Sequence, residues 1–132
     1  MNNVYIMSAN RSAIGGFGGT LKNHCPVDLG TLVAKEAIAR SGFEANEVEH
    51  AVFGNVIHTE PRDMYVSRVI ALQAGMDKAS AALTVNRLCG SGLQAIVSAS
   101  QILMLGDASV AIAGGVEAVS YTHLRAHETD LN

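Results

Sequence analysis

Tryptophan is absent from the 132 residues, which hold only two prolines, two cysteines, three tyrosines and three phenylalanines. Charged residues are also few, at 16%, against 48% apolar ones, and that balance excludes a disordered chain and supports a packed core. With 13 glycines and many alanines beside so little proline, close-packed helices on a sheet are expected. The net charge of -3 provides no basic face for nucleic acid. No apolar run approaches the roughly 20 residues needed to cross a bilayer. Met1-Asn2-Asn3-Val4-Tyr5 lacks the basic start and long apolar stretch of a secretory signal. The default expectation is a soluble cytoplasmic protein with neither nucleic acid nor membrane as partner. The two cysteines, Cys25 and Cys89, lack metal-ligand spacing, so no metal site is expected and free thiols are favoured over a disulfide.

Four short apolar runs stand out: Val4–Ala9, His50–Val56, Ala82–Asn86 and Ser109–Gly114. Each is too short for a helix and reads as a strand buried on both faces, as in a parallel sheet. Three helices are predicted between them. The first covers Asp28–Ser41, with Asp28 as N-cap, Gly42 beyond its end and Glu36 with Arg40 as an exposed i,i+4 pair. The second covers Asp63–Ala74 and stops at Gly75. The third runs from Cys89 to Leu105, with Leu93, Ile96, Val97, Leu103 and Met104 at helical spacing. Alternating strands and helices mean βαβ units, right-handed crossovers and a parallel sheet covered by helices. The fold class is therefore α/β. Residues 10–27 form a long connection of the kind that serves function or an interface. The pattern breaks after Ser120, so the domain is expected to occupy residues 1–120. Residues 121–132 read either as a foreign appendage or as a polar tail.

In a parallel sheet, sites gather where strands end and helices begin. Cys89 holds that place after the third helix's preceding strand. The unpaired N–H groups of a helix start carry roughly +0.5 of an elementary charge and favour a sulfur anion, the form that attacks carbonyl carbon. Gly90, Ser91 and Gly92 keep the first turn slender, and glycine there can adopt a strained turn. On position alone, a buried inert thiol remains the alternative. Gly15-Gly16-Phe17-Gly18-Gly19 lacks both the G-x-G-x-x-G spacing and the Walker lysine, and reads as a close-packed connection rather than a phosphate cradle. Gly114-Gly115 is either a tight turn or part of the site. His58 to Tyr65 is either a solvated loop or an interface segment.

Asn86-Arg87-Leu88-Cys89-Gly90-Ser91-Gly92-Leu93-Gln94-Ala95 closely resembles the active-site segment of thiolases around their acylated cysteine. The likeness extends to Arg11-Ser12-Ala13-Ile14-Gly15, Phe17-Gly18-Gly19, Gly106-Asp107-Ala108-Ser109 and Ala113-Gly114-Gly115-Val116-Glu117, and covers residues 3–120. The stretch from Val52 to Tyr65 looks most like bacterial β-ketothiolases of polyhydroxyalkanoate synthesis.

The resemblance implies the N-terminal half of the thiolase fold, incomplete, with the third helix in a layer buried between two similar halves. It implies a parent acyl-CoA C-acyltransferase that condenses an acyl-CoA with acetyl-CoA, or runs thiolysis in reverse, through an acyl group carried on Cys89. Coenzyme A thioesters are then substrates and no cofactor is called for. A homo-oligomeric parent, dimer or tetramer, is implied too. The family's catalytic histidine, second cysteine and active-site asparagine lie in a C-terminal half that this chain lacks. None of His24, His50, His58, His123 or His127 sits in a matching motif, and Cys25 matches no catalytic position. The chain by itself is expected to lack turnover. A β-ketoacyl synthase relative shares the helix-start cysteine, but the wording around Cys89 argues for thiolase. A flavodoxin-like binding module would need a phosphate-binding or acidic cluster at the strand ends, which is not found. With the third helix left open to water, the chain should be marginal or prone to association, since apolar patches above a few hundred Å² are rarely left exposed. Sedimentation should show concentration-dependent species; a monomer that unfolds cooperatively would count against the incomplete-half reading.

Overall fold

The structure, a computed structural model, describes residues 1–121. Three parallel strands, β1 (His50–Gly54), β2 (Ala81–Val85) and β3 (Ala111–Gly115), form one sheet in the order β2-β1-β3. In the register His50 stands opposite Ala81 on one side and Ala111 on the other. Helices α1 (Pro26–Ser41) and α2 (Val66–Gln73) cover one face, and α3 (Ser91–Met104) covers the other. The expected α/β class and parallel βαβ order are both present.

The alternation along β1 explains the layering. Ala51 and Phe53 point into the larger core with Val27, Ala34, Ile70 and Ala71, while Val52 points the opposite way against Ala95 and Ala99. Only this central strand is buried on both faces. β2 and β3 flank it and are partly exposed, which corrects the reading of every strand as fully buried.

The Val4–Ala9 segment also departs from expectation. It joins no ladder, and none of its residues makes a backbone–backbone hydrogen bond within the described structure. Tyr5 and Ile6 are more than 70% exposed. Side chains pin the segment's flanks instead. Asn2 donates to Leu103 O, Ser8 Oγ to Ala37 O at 2.7 Å and Asn10 Nδ2 to Val33 O at 3.2 Å. An apolar run supplies the desire for burial, but a ladder also needs a neighbour's free backbone at about 4.8 Å.

Helix starts shift in a consistent way. Cys25, not Asp28, is the N-cap residue of α1, because Pro26 fits the first helical position, whose N–H needs no partner. Gly42 ends the helix at φ 86, and Arg40 meets Glu36 at 2.7 Å as expected. Asp63 does not cap α2. It lies fully buried in a 3-10 turn, Pro61–Tyr65, where its Oδ2 accepts the N–H and hydroxyl of Thr59, both at 2.7 Å, and α2 begins only at Val66. Ser67, in the first turn of α2, reaches into the sheet: its Oγ accepts Phe53 N–H at 2.8 Å and donates to Leu83 O at 2.7 Å. α3 starts two residues later than predicted and turns its small residues to the sheet. Leu93, Ile96 and Val97 face outward, Leu93 at 70% exposure.

Truncating Ile70 to Ala should therefore lower stability by roughly 2–5 kcal/mol, while Leu93→Ala should change it by no more than about 0.5 kcal/mol. Urea unfolding of the two variants checks this, and equal losses would contradict the assignment of the core to the α1–α2 side.

Candidate active site

The C-terminal ends of all three strands converge on the start of α3. The convergence depends on missing side chains. A Cβ on Gly54 would lie 2.7 Å from both the carbonyl carbon and the Cβ of Ser91, and one on Gly115 would lie 3.1 Å from Gly92 Cα. These two glycines let strand backbone rest directly on the helix's first turn. Gly114, which the sequence left between a turn and the site, sits against the Phe53 ring, while Gly115 touches α3.

Between β2 and α3 the chain turns through Asn86, Arg87, Leu88, Cys89 and Gly90. Asn86 Oδ1 accepts Leu88 N–H at 3.0 Å, a local bond that favours the turn. Leu88 carries the strain, with φ 49 in the left-handed region that a leucine rarely adopts. The expectation that glycine would take the strained position is corrected: Gly90 has φ -90. Ser91 closes the turn from beneath. Its buried hydroxyl accepts Arg87 N–H at 2.8 Å and donates to Leu88 O at 2.7 Å. Arg87 Nη1 is held by Gln94 Oε1 at 2.7 Å.

Cys89 rides on this turn as a free, solvent-exposed thiol, two residues ahead of the first helical residue. It is neither mid-helix nor buried. The slender-turn reading holds for Gly92, around which a Cβ would meet nothing within 4 Å, but Ser91 serves as the internal staple.

Loops beyond β1 and β3 are tied together beside this turn. The Glu117 carboxylate accepts the N–H groups of Val56 and Ile57, the latter at 3.2 Å. Asn55 is fully buried: its N–H donates to Val85 O at 3.2 Å and its Nδ2 to Val116 O at 2.8 Å, so one residue links the ends of three strands. Asn55 Oδ1 has no hydrogen-bond partner among the described residues. Sequence reading passed over Asn55 as a site residue; its position directly after the strand-ending Gly54 was the available signal.

Among the described residues no hydrogen bond joins Cys89 to His24, His50 or His58. His50 opens β1 and so lies at the opposite end of the sheet. His123 and His127 lie outside the described residues, as does all of the 121–132 segment except Tyr121, which packs against the larger core. Cys25 is buried under Arg62, whose Nη2 approaches its Sγ at 3.9 Å. Burial pushes the Cys25 thiol above its ordinary value, with Asp28 and Glu60 adding to the rise through their negative charge. No helix among the described residues is long and apolar enough to cross a membrane.

The exposed Cys89 thiol thus lies on a strained strand-to-helix turn at one end of a parallel α/β sheet. Residues 4–131 match the sequence profile described as the thiolase N-terminal domain. The chain is 58% identical over 117 residues to the beta-ketothiolase BktB of Cupriavidus necator, a match covering 89% of this chain and 30% of that protein. It is 36% identical over 120 residues to the mitochondrial 3-ketoacyl-CoA thiolase of Bos taurus, covering 91% and 30%. A crystal structure of the Bacillus anthracis acetyl-CoA acetyltransferase superimposes with a TM-score of 0.83 at 43% identity, over 87% of this chain and 29% of the other. The chain belongs to the thiolase family, and its fold is that of the N-terminal half. It spans about 30% of the length of the relatives it matches.

With one thiol exposed and the other buried and resistant to ionisation, iodoacetamide near neutral pH should label Cys89 at least about tenfold faster than Cys25. Raising the pH should bring Cys25 into reaction as its thiolate forms. Peptide mapping gives both rates; equal rates at neutral pH would mean that the turn or the α1 start is not formed as described.

Proposed function

We propose that this chain is the nucleophile-bearing part of an acyl-CoA C-acyltransferase and that Cys89 is the residue acylated. The observation that carries the reading is the exposed Cys89 thiol on a stapled turn ahead of α3, within a segment whose wording is that of thiolases. In the first half-reaction the Cys89 thiolate attacks the thioester carbonyl. A carbon–sulfur bond forms to Cys89, the bond to coenzyme A breaks, and the departing thiolate takes up a proton. In the second, a base removes an α-proton from acetyl-CoA, the carbanion attacks the acyl-enzyme, a carbon–carbon bond forms and Cys89 leaves as thiolate. Family resemblance assigns the base and the activating histidine to sequence beyond this chain, and the Cys89 N–H to an oxyanion hole.

The turn contributes rigidity to this chemistry. Ser91 and Asn86 hold the backbone on both sides of Cys89, which keeps the sulfur in one place while a substrate approaches. The likeness to BktB supports a bacterial β-ketothiolase, and with it a role in making or cleaving 3-ketoacyl-CoA in the cytoplasm by a homo-oligomeric parent.

Incubation with acetyl-CoA should place a hydroxylamine-labile acetyl group on the peptide carrying Cys89, detected by mass spectrometry, and Cys89→Ala should abolish it. Coenzyme A release should not continue past one equivalent. Acetylation confined to Cys25 or to lysines would refute the assignment, and sustained release would refute the lack of turnover.

A further inference from the structure

Where β1 and β3 end, the sheet closes with a rung made by side chains. Val116 N–H donates to Gly54 O at 3.0 Å, the last regular bond between these two strands. Were the parallel ladder to run on, Val56 N–H would make the next bond, to Val116 O. Asn55 takes that place instead, its Nδ2 donating to Val116 O at 2.8 Å. Val56 N–H turns to the Glu117 carboxylate. On its other side the main chain of Asn55 pairs regularly, the N–H donating to Val85 O at 3.2 Å. The whole residue is buried.

Both strands that Asn55 joins to β1 lead to the cysteine turn. Val85 is the last residue of β2 and precedes Asn86, where the turn begins. Val116 follows Gly115, which rests so closely on α3 that a Cβ there would stand 3.1 Å from Gly92 Cα. Gly54, directly before Asn55, lies against Ser91, whose hydroxyl staples the Arg87 and Leu88 backbone. Asn55 thus ties the strand that enters the Cys89 turn to the strand that touches the helix at its exit. Only a donor serves at this place. Val116 O can accept but not donate, so an amide N–H satisfies it and a carboxylate of the same shape does not. A carboxylate would also set an unpaired charge in a buried position.

We infer that Asn55 is a positioning residue for Cys89: its carboxamide holds Val116 O against the end of β1, and so keeps the first turn of α3 seated on the sheet and the thiol in one place. Asn55 itself touches no reacting atom. In its bearing on acyl transfer the inference rests on the function proposed above; in its bearing on the turn it stands on the geometry alone.

Two variants of the 132-residue chain provide the test. Asn55→Asp keeps the shape and removes the donor, and Asn55→Ala removes the donor without adding charge. Amide exchange followed by NMR reads the turn directly. In both variants Arg87, held by Ser91 Oγ, and Gln94, held by Gly90 O, should exchange roughly tenfold faster, as loss of one buried hydrogen bond implies. Ala34 and Ile38 in α1 should change by no more than about twofold. Acetylation of Cys89 by acetyl-CoA should slow by roughly tenfold, while Cys25 stays protected from iodoacetamide. Equal acceleration at all four amides, or unfolding of both variants, would make Asn55 a support of the whole fold and overturn the proposal. So would unchanged exchange at Arg87 and Gln94, or acetylation at the native rate. A native chain that takes up no acetyl group refutes the acyl-transfer reading instead, and the exchange rates then decide the role of Asn55.

Discussion

Contact between backbone and backbone, at the place where β1 and β3 meet the first turn of α3, fixes the geometry of this half-domain. Close-packed interiors leave no room for compromise there: a single methyl on Gly54 would overlap the Ser91 carbonyl carbon at 2.7 Å. With those side chains absent, Ser91 sinks against the sheet and its hydroxyl can hold the Arg87 and Leu88 backbone from below. The turn above it is then forced outward, and Cys89 with it. Exposure of the thiol thus follows from the burial of its neighbour two residues along.

The two faces of the sheet are unequal. On the α1–α2 side, Phe53, Ile70, Val27 and their neighbours make a core of ordinary character. On the α3 side the buried contacts reduce to Val52, Ala95 and Ala99, with alanines allowing close approach but burying little area each. Leu93, Ile96 and Val97 look away from the chain. Such a helix is attached to its own sheet by small residues and carries its larger apolar surface elsewhere. This agrees with a helix meant for the middle of a larger molecule, and with a chain that spans about 30% of its relatives.

Much of this was legible in the residues. The apolar runs around Val52, Leu83 and Ile112 marked three strands within one or two residues, and the glycines at 42, 75 and 106 marked where helices stop. The place of Cys89 between a strand and a helix was legible because the apolar run before it and the glycines after it pointed the same way. What escaped were features that depend on a partner distant in sequence. Val4–Ala9 has the composition of a strand, yet pairing belongs to the neighbour as much as to the run itself. Asp63 resembled a helix cap, but its carboxylate is engaged by Thr59 and Glu60 just before it. Leu88 gave no sign of a left-handed backbone except the asparagine two positions earlier.

Ser67 carries a mechanical consequence. Its hydroxyl stands between β1 and β2, taking the Phe53 N–H and giving its own proton to Leu83 O, while its backbone N–H leans on Thr84 Oγ1 at 3.2 Å. One helical residue thereby replaces a rung of the sheet and becomes a three-way joint. A sliding motion of β2 along β1 must drag the start of α2 with it, so the strand that delivers the cysteine turn is geared to the far layer of the molecule rather than free to shear.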